Sequence, residues 1–272
     1  MPFFKTNDGC KLNYQESGSG KPLLLIHGWS QSAALFKHQV SDLSDQYRVI
    51  AIDLRGHGES EKPVSGYRIS RLTKDVYEFI NYLDLKEVNL LGWSMGGAIV
   101  WCYLDLFGHD RLSKLILVDH IPYFIFEPTM SKEKIDESGA LFDMNKLMKL
   151  CYQLRTDREK TISGIIDGLV TSKIKPHLKD WIIKENLKMP GEQAAQLFFN
   201  LTVLDLRDVI PNIKIPTLII GAKKTHWKAQ LWLHKKIKGS KLEIFEEEEG
   251  GGHYMFLEAP EKFNKIPRYF IE

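Results

Sequence analysis

Gly92-Trp93-Ser94-Met95-Gly96-Gly97 follows an apolar run, Val88-Asn89-Leu90-Leu91, and leads into small residues, Gly97-Ala98, that read as the start of a helix. A strand that turns this abruptly into a helix holds a serine hydroxyl exposed at the bend, the arrangement of a nucleophile elbow. Glycines two positions to either side of the serine, Gly92 and Gly96, suit a turn too tight for side chains. The hexapeptide alone is short enough to arise by chance. Its position between a buried strand and a helix start gives it meaning.

Around this stretch strands and helices alternate. Leu12 to Glu16 alternates apolar and polar residues, and Ser17-Gly18-Ser19-Gly20 then turns the chain. Leu23-Leu24-Leu25-Ile26, Val49-Ile50-Ala51-Ile52 and Leu115-Ile116-Leu117-Val118 are short continuous apolar runs, the pattern of strands buried on both faces. Ser70 to Leu83 carries Leu72, Val76, Phe79, Ile80 and Leu83 as a helical stripe. Alternation of this kind predicts an α/β fold with a mostly parallel sheet covered by helices on both faces. In such sheets functional groups gather beyond the carboxyl ends of the strands. His27, Asp53, Ser94 and Asp119 each fall at or just past such an end.

After Pro122 the rhythm changes. From Tyr123 to Asp208 there are only helical segments rich in Leu, Met, Phe and Trp, interrupted at Pro176 and Pro190-Gly191. The strand pattern resumes at Ile215-Pro216-Thr217-Leu218-Ile219-Ile220-Gly221. A helical stretch follows around Leu231 to His234, and a last strand at Leu242-Glu243-Ile244-Phe245. The expected organisation is a core of residues 1–122 and 209–272 with residues 123–208 inserted as a helical cap over the strand ends.

Composition narrows the function classes. The 272 residues carry 37 Lys and Arg against 35 Asp and Glu, a net charge of +2, so no bulk charge favours nucleic acid or a membrane surface. No apolar run approaches the ~20 residues of a membrane span, and no secretory signal is evident at Met1-Pro2-Phe3-Phe4-Lys5-Thr6. Cys10, Cys102 and Cys151 are scattered, without metal-ligand spacing, which favours free thiols and a cytoplasmic location. No phosphate loop, metal cluster or cofactor motif is present, so the chemistry is expected to need no cofactor or metal.

A serine hydroxyl is a poor nucleophile until a base takes its proton and donors hold the oxyanion that forms. His253 is the candidate base. It lies in Gly250-Gly251-Gly252-His253-Tyr254, just past the last strand, flanked by glycines and followed by a helix expected from Pro260. The other histidines lack this combination.

Taken together, these motifs resemble the α/β-hydrolase superfamily, in particular its small serine esterases, perhydrolases and cofactor-free haloperoxidase relatives. His27-Gly28-Trp29 matches the oxyanion loop, and Asp53-Leu54-Arg55-Gly56-His57-Gly58-Glu59-Ser60 matches D-x-R-G-x-G-x-S. Gly92 to Gly97 matches the elbow, and Gly252-His253 with Phe256-Leu257-Glu258-Ala259-Pro260 matches the histidine loop. The match covers residues 1–122 and Ile215 to the end. The resemblance implies oxyanion donors at the backbone N–H groups of Trp29 and Met95. Met95 begins a helix, whose first amides lack internal partners and carry partial positive charge. The Asp53-to-Ser60 stretch reads as structural, with Arg55 fixing a loop.

For the acid, many relatives place an aspartate three residues after the glycine that ends the strand following the cap. Here Gly221-Ala222-Lys223-Lys224 puts Lys224 there, and a lysine accepts no hydrogen bond from imidazole. Another group of the superfamily carries the acid one strand earlier in a D-x-x-P turn, which Asp119-His120-Ile121-Pro122 matches. The resemblance therefore implies a Ser94–His253–Asp119 triad. Glu246-Glu247-Glu248-Glu249 is the alternative source of the acid, and a turn cap the alternative role for Asp119. His120 reads as pocket lining or structure, and Cys102 as an apolar helix face.

The expectation is an enzyme, a serine hydrolase of carboxylic esters with small to medium acyl groups and a small-molecule substrate. Phe124, Phe126, Leu147, Leu150 and Trp181 stand as acyl-pocket or cap-core residues. Serine at the elbow separates the chain from dehalogenases and epoxide hydrolases, which carry aspartate there. Lactonase, thioesterase, peptidase, carbon–carbon hydrolase and perhydrolase activities share the serine. Binding of a ligand with slow or absent turnover is the alternative outside enzymology.

Overall fold

The computed structural model describes residues 2–272. Eight strands form one sheet: β1 (Phe3–Lys5), β2 (Lys11–Ser17), β3 (Lys21–Ile26), β4 (Tyr47–Ile52), β5 (Val88–Trp93), β6 (Leu112–Val118), β7 (Thr217–Ala222) and β8 (Lys241–Phe245). Their order is β1-β2-β4-β3-β5-β6-β7-β8, antiparallel at the β1–β2 and β2–β4 pairs and parallel elsewhere. The helices are α1 (Lys37–Leu43), α2 (Ile69–Tyr82), α3 (Met95–Phe107), α4 (Lys132–Ser138), α5 (Met144–Thr156), α6 (Arg158–Leu169), α7 (Pro176–Leu187), α8 (Gly191–Thr202), α9 (Trp227–Lys236), α10 (Met255–Glu258) and α11 (Pro260–Ile271).

Side chains alternate across a strand, so an apolar run fills both faces at once. Leu24 and Ile26 of β3 join Leu90 and Leu117 in the core under α2 and α3, where Leu72, Phe79 and Trp101 pack. Leu23 and Leu25 join Leu91, Ile116 and Val118 on the opposite face with Leu43 and Phe263 of α1 and α11. The mostly parallel sheet covered on both faces is thus present. The β7 strand begins at Thr217 rather than Ile215. Pro216 has no N–H for the ladder, although its carbonyl still accepts from Leu115 N–H at 2.9 Å.

Between β6 and β7 the chain forms α4 to α8, with a single isolated bridge, Ile125 to Phe142. The prolines read as interruptions start helices instead: Pro176 is the first residue of α7 and Pro190 caps α8. Proline suits those positions because the first turn of a helix has no use for its missing N–H. These helices are fastened to the sheet's carboxyl end. Trp29 Nε1 donates to Ala194 O at 2.9 Å, His253 N–H to Leu169 O at 2.7 Å, and Ser30 Oγ to Asn186 O at 2.9 Å. Among the described residues no helix is long and apolar enough to cross a membrane.

Candidate active site

The turn after β5 has the form its glycines predict. Ser94 caps α3 with φ 54° and ψ −121°, a backbone region that costs a non-glycine residue about 1–3 kcal/mol. Its own N–H donates to Val118 O at 2.8 Å and its carbonyl accepts from Gly97 N–H at 2.8 Å. A Cβ at Gly92 would overlap the carbonyl of Gly96, and one at Gly96 would overlap that of Ile26. The loop after β3 passes directly against the elbow, since a Cβ at Gly28 would lie 3.1 Å from Ser94 Cβ. That loop is held rigid by His27, whose Nδ1 meets Gly28 O at 2.8 Å while Nε2 accepts from Leu54 N–H at 3.0 Å. Burial lowers the pKa of His27, which keeps the ring neutral and able to accept.

His253 is clamped through its backbone. Its N–H reaches Leu169 O at 2.7 Å, and its carbonyl accepts from Trp93 Nε1 at 3.0 Å. Its ring Nδ1 lies 2.6 Å from Asp119 Oδ2. With the carboxylate ionised, Nδ1 is the donor and Nε2 the free base. Asp119 sits at the end of β6 with φ 45°, its N–H donating to Ile220 O at 2.8 Å. It is 5% exposed. The same carboxylate accepts from Thr225, whose Oγ1 lies 2.8 Å from both oxygens. The hydroxyl has a single proton and a third acceptor in reach, Ala222 O at 3.2 Å, so the two nearer carboxylate oxygens share its bond with that carbonyl.

Thr225 is the residue the sequence reading missed. It directly follows Lys224, the position at which many relatives carry an aspartate, and it hydrogen-bonds Asp119 at the end of the neighbouring strand. Lys224 itself points outward to Glu247 at 3.7 Å. The alternative acids are engaged elsewhere: Glu246 lies 3.8 Å from Lys223 and Glu249 2.6 Å from Lys262, both at the surface. The Asp53-to-Ser60 loop is braced as a structural unit. Arg55 grips Asp75 at 2.8 and 3.0 Å and Asp8 at 2.8 Å, while Asp53 accepts from Ala33 N–H at 2.7 Å.

Ser94, His253, Asp119, Gly28 and Trp29 share one cavity of about 170 Å³. Its walls are mostly apolar, with Phe124, Leu141, Phe142, Leu150, Phe198 and Leu201 among them. Of the residues left open between pocket and cap core, Phe124 and Leu150 line the cavity. Leu147 is fully buried core, and Phe126 and Trp181 instead lie beneath Lys146 and Lys37 at 5.5 and 4.4 Å. Among the described residues no lysine or arginine lines the cavity, and Asp119 is its one carboxylate. His120 also lines it, packed 4.5 Å from the Trp101 ring, with burial lowering its pKa to about 3. Burial likewise lowers the pKa of His226. All three cysteines are buried free thiols, and burial raises the pKa of Cys102.

Comparison with known proteins agrees with this fold. The family model described as the alpha/beta hydrolase fold matches residues 21–141. An AB hydrolase superfamily protein of Bacillus subtilis (strain 168) is 30% identical over 277 residues, spanning 98% of this chain and 98% of that protein. Non-heme chloroperoxidase CPO-A1 of Kitasatospora aureofaciens is 28% identical across 81% of this chain and 80% of its own length. The solved esterase EaEST from Exiguobacterium antarcticum superposes with a TM-score of 0.89 at 32% identity, covering 99% of both chains. With its elbow, its sheet order and relatives aligned over 80% to 99% of their own length, the chain belongs to the α/β-hydrolase superfamily.

Proposed function

We propose that this hydrolase cleaves neutral carboxylic esters of small to medium acyl groups through a Ser94–His253–Asp119 triad. The observation that carries the reading is the 2.6 Å bond between Asp119 and His253 at a cavity they share with the elbow serine. In this scheme Asp119 holds the Nδ1 proton, and Nε2 takes the proton of Ser94 as its oxygen attacks the ester carbonyl. The oxyanion is received by the backbone N–H groups of Trp29 and Met95. Met95, as the first residue of α3, has no intrahelical acceptor for its amide. His253 then protonates the leaving alcohol and activates the water that frees the acyl-enzyme.

Among the described residues the cavity walls hold no lysine or arginine, which argues for an uncharged acyl group, since a buried carboxylate without a counter-charge is costly. Residues 123–208 are assigned as the cap over this cavity and residues 1–122 and 209–272 as the core. Perhydrolysis is the second reading, favoured by the similarity to the chloroperoxidase; it would use the same residues with peroxide in place of water. The test is release of p-nitrophenol from acetyl, butyryl and octanoyl esters, beside Ser94→Ala. Turnover that vanishes in the variant supports the ester reading. No serine-dependent release from any of them refutes it and transfers the question to peroxide-dependent assays.

A further inference from the structure

The helices between β6 and β7 bury a cation that no carboxylate answers. Arg158, the first residue of α6, has its pKa lowered to about 10 by burial alone, so among the described residues no carboxylate lies near enough to offset its charge. Its Nε and Nη1 are sealed without acceptors. Its hydrogen bonds to Ser30 and Asn186 run through Nη2, which donates to Ser30 Oγ at 2.7 Å and to Asn186 O at 2.8 Å, with Asn186 Oδ1 at 3.3 Å. A buried charge without a counter-charge is costly to the fold. Fold stability thus gives no reason for an arginine here, whereas the groups that Nη2 holds do.

Nη2 holds the loop after β3 at its strained residue. A turn closed by Gln31 N–H on Gly28 O at 3.3 Å places Ser30 third, at φ 57°, a conformation that favours glycine. A non-glycine residue stays there only where its surroundings fix it. Ser30 is fully buried, and its Oγ donates to Asn186 O at 2.9 Å while accepting from Arg158. Both partners come from outside the loop, on α6 and α7. With no carboxylate to draw the guanidinium away, it keeps Ser30 and Asn186 as partners. Trp29, the second residue of the turn, lines the cavity with Ser94, and among the described residues its N–H bonds no protein acceptor. We propose that Arg158 is a positioning residue for ester cleavage: by holding Ser30 at positive φ, it aims the Trp29 N–H at the oxyanion. Relaxation of Ser30 to negative φ would redirect the turn and let that donor swing away from the carbonyl. The proposal rests on the serine-esterase reading above, and the effect falls on the rate rather than on substrate binding.

The test measures kcat and KM for p-nitrophenyl butyrate in wild type, Arg158→Met, Ser30→Ala and the double variant, with thermal melts to confirm folding. Trifluoromethyl propyl ketone is measured beside them as an inhibitor, because its adduct with Ser94 carries an oxyanion where the ester's forms. Each single variant should lower kcat about 10- to 100-fold with KM little changed, and weaken the ketone by a similar factor. Because Arg158 acts through Ser30, the double variant should stay within about threefold of the slower single variant. Arg158→Met within about threefold of wild type, a loss confined to KM, unchanged ketone affinity, or losses that multiply in the double variant overturn the proposal. If Arg158→Met does not fold, Ser30→Ala alone must show the same loss of kcat and ketone affinity, and its absence overturns the proposal. If wild type shows no Ser94-dependent turnover, the esterase reading falls, and hydrogen exchange of residues 28–32 decides the rest. Faster exchange in Arg158→Met than in wild type sustains the hold on the loop, and equal exchange overturns it.

Discussion

Replacing Asp119 by asparagine is the sharpest perturbation of the proposed triad, because the surroundings decide which way the new amide faces. The carboxylate receives His253 Nδ1 at 2.6 Å and the Thr225 hydroxyl at 2.8 Å. Among the described residues its one ion-pair partner is His253, so no lysine or arginine substitutes for the lost charge. In the variant, the Thr225 hydroxyl donates to the amide oxygen and turns the amide N–H₂ towards His253. That group donates to Nδ1 and drives the ring proton to Nε2, the nitrogen that must accept from Ser94. Loss of the correct tautomer together with the imidazolium's counter-charge is worth about 10⁴-fold in kcat in the analogous protease substitution. That is about 5.4 kcal/mol of barrier. The assay is steady-state hydrolysis of p-nitrophenyl butyrate, with thermal melts to show that the variant is folded. The same geometry predicts that adding Thr225→Val to Asp119→Asn recovers part of the loss, since the amide is then free to turn. Activity of folded Asp119→Asn within tenfold of wild type would refute the reasoning and return the acid to Glu246–Glu249.

Three other outcomes follow from the same structure. Thr225→Val alone removes a hydrogen bond to a charged acceptor, worth about 1.5–3 kcal/mol, and should lower kcat about 10- to 100-fold with KM little changed, read from Michaelis–Menten curves. His120 is buried with its pKa lowered from 6.5 to about 3, so below pH 6.5 the unfolded chain binds a proton that the native state does not. Native stability therefore falls as pH drops through that window, by about 2 kcal/mol at pH 5 for this one histidine. In urea titrations at pH 7 and pH 5, His120→Phe should shrink the difference relative to wild type, and an unchanged difference would contradict the assignment. Gly96→Ala forces a Cβ into the Ile26 carbonyl and should cost several kcal/mol or abolish soluble expression, as measured by urea unfolding.

Much of this architecture was legible because strands buried on both faces are continuous apolar runs. Val49 to Ile52 and Leu115 to Val118 announce themselves, and residues just past such runs fall along one edge of the sheet. Asp119 could be singled out because Asp119-His120-Ile121-Pro122 follows such a run and matches a turn of the family. Thr225 could not, because its role depends on β6 and β7 lying side by side, and two lysines precede it. The Arg158–Ser30 bond joins residues 128 positions apart, and neither residue carries a local sign of it. The clamp on the His253 backbone by Leu169 and Trp93 is equally silent, since the main chain supplies its acceptors and one of its donors. The short β1 strand lacks the length that makes an alternating pattern visible. Within the helical segment, aromatic content alone did not separate Phe124, on the cavity wall, from Trp181, which packs beneath Lys37.

The central claim is that Ser94 becomes acylated and that turnover passes through this acyl-enzyme. The most direct measurement is rapid acid quench of the protein mixed with excess p-nitrophenyl butyrate, followed by intact-mass analysis and peptide mapping, beside Ser94→Ala. The account predicts a single butyryl adduct that maps to Ser94, with both the adduct and p-nitrophenol release absent from the variant. An adduct on another residue, or undiminished release by Ser94→Ala, would contradict it.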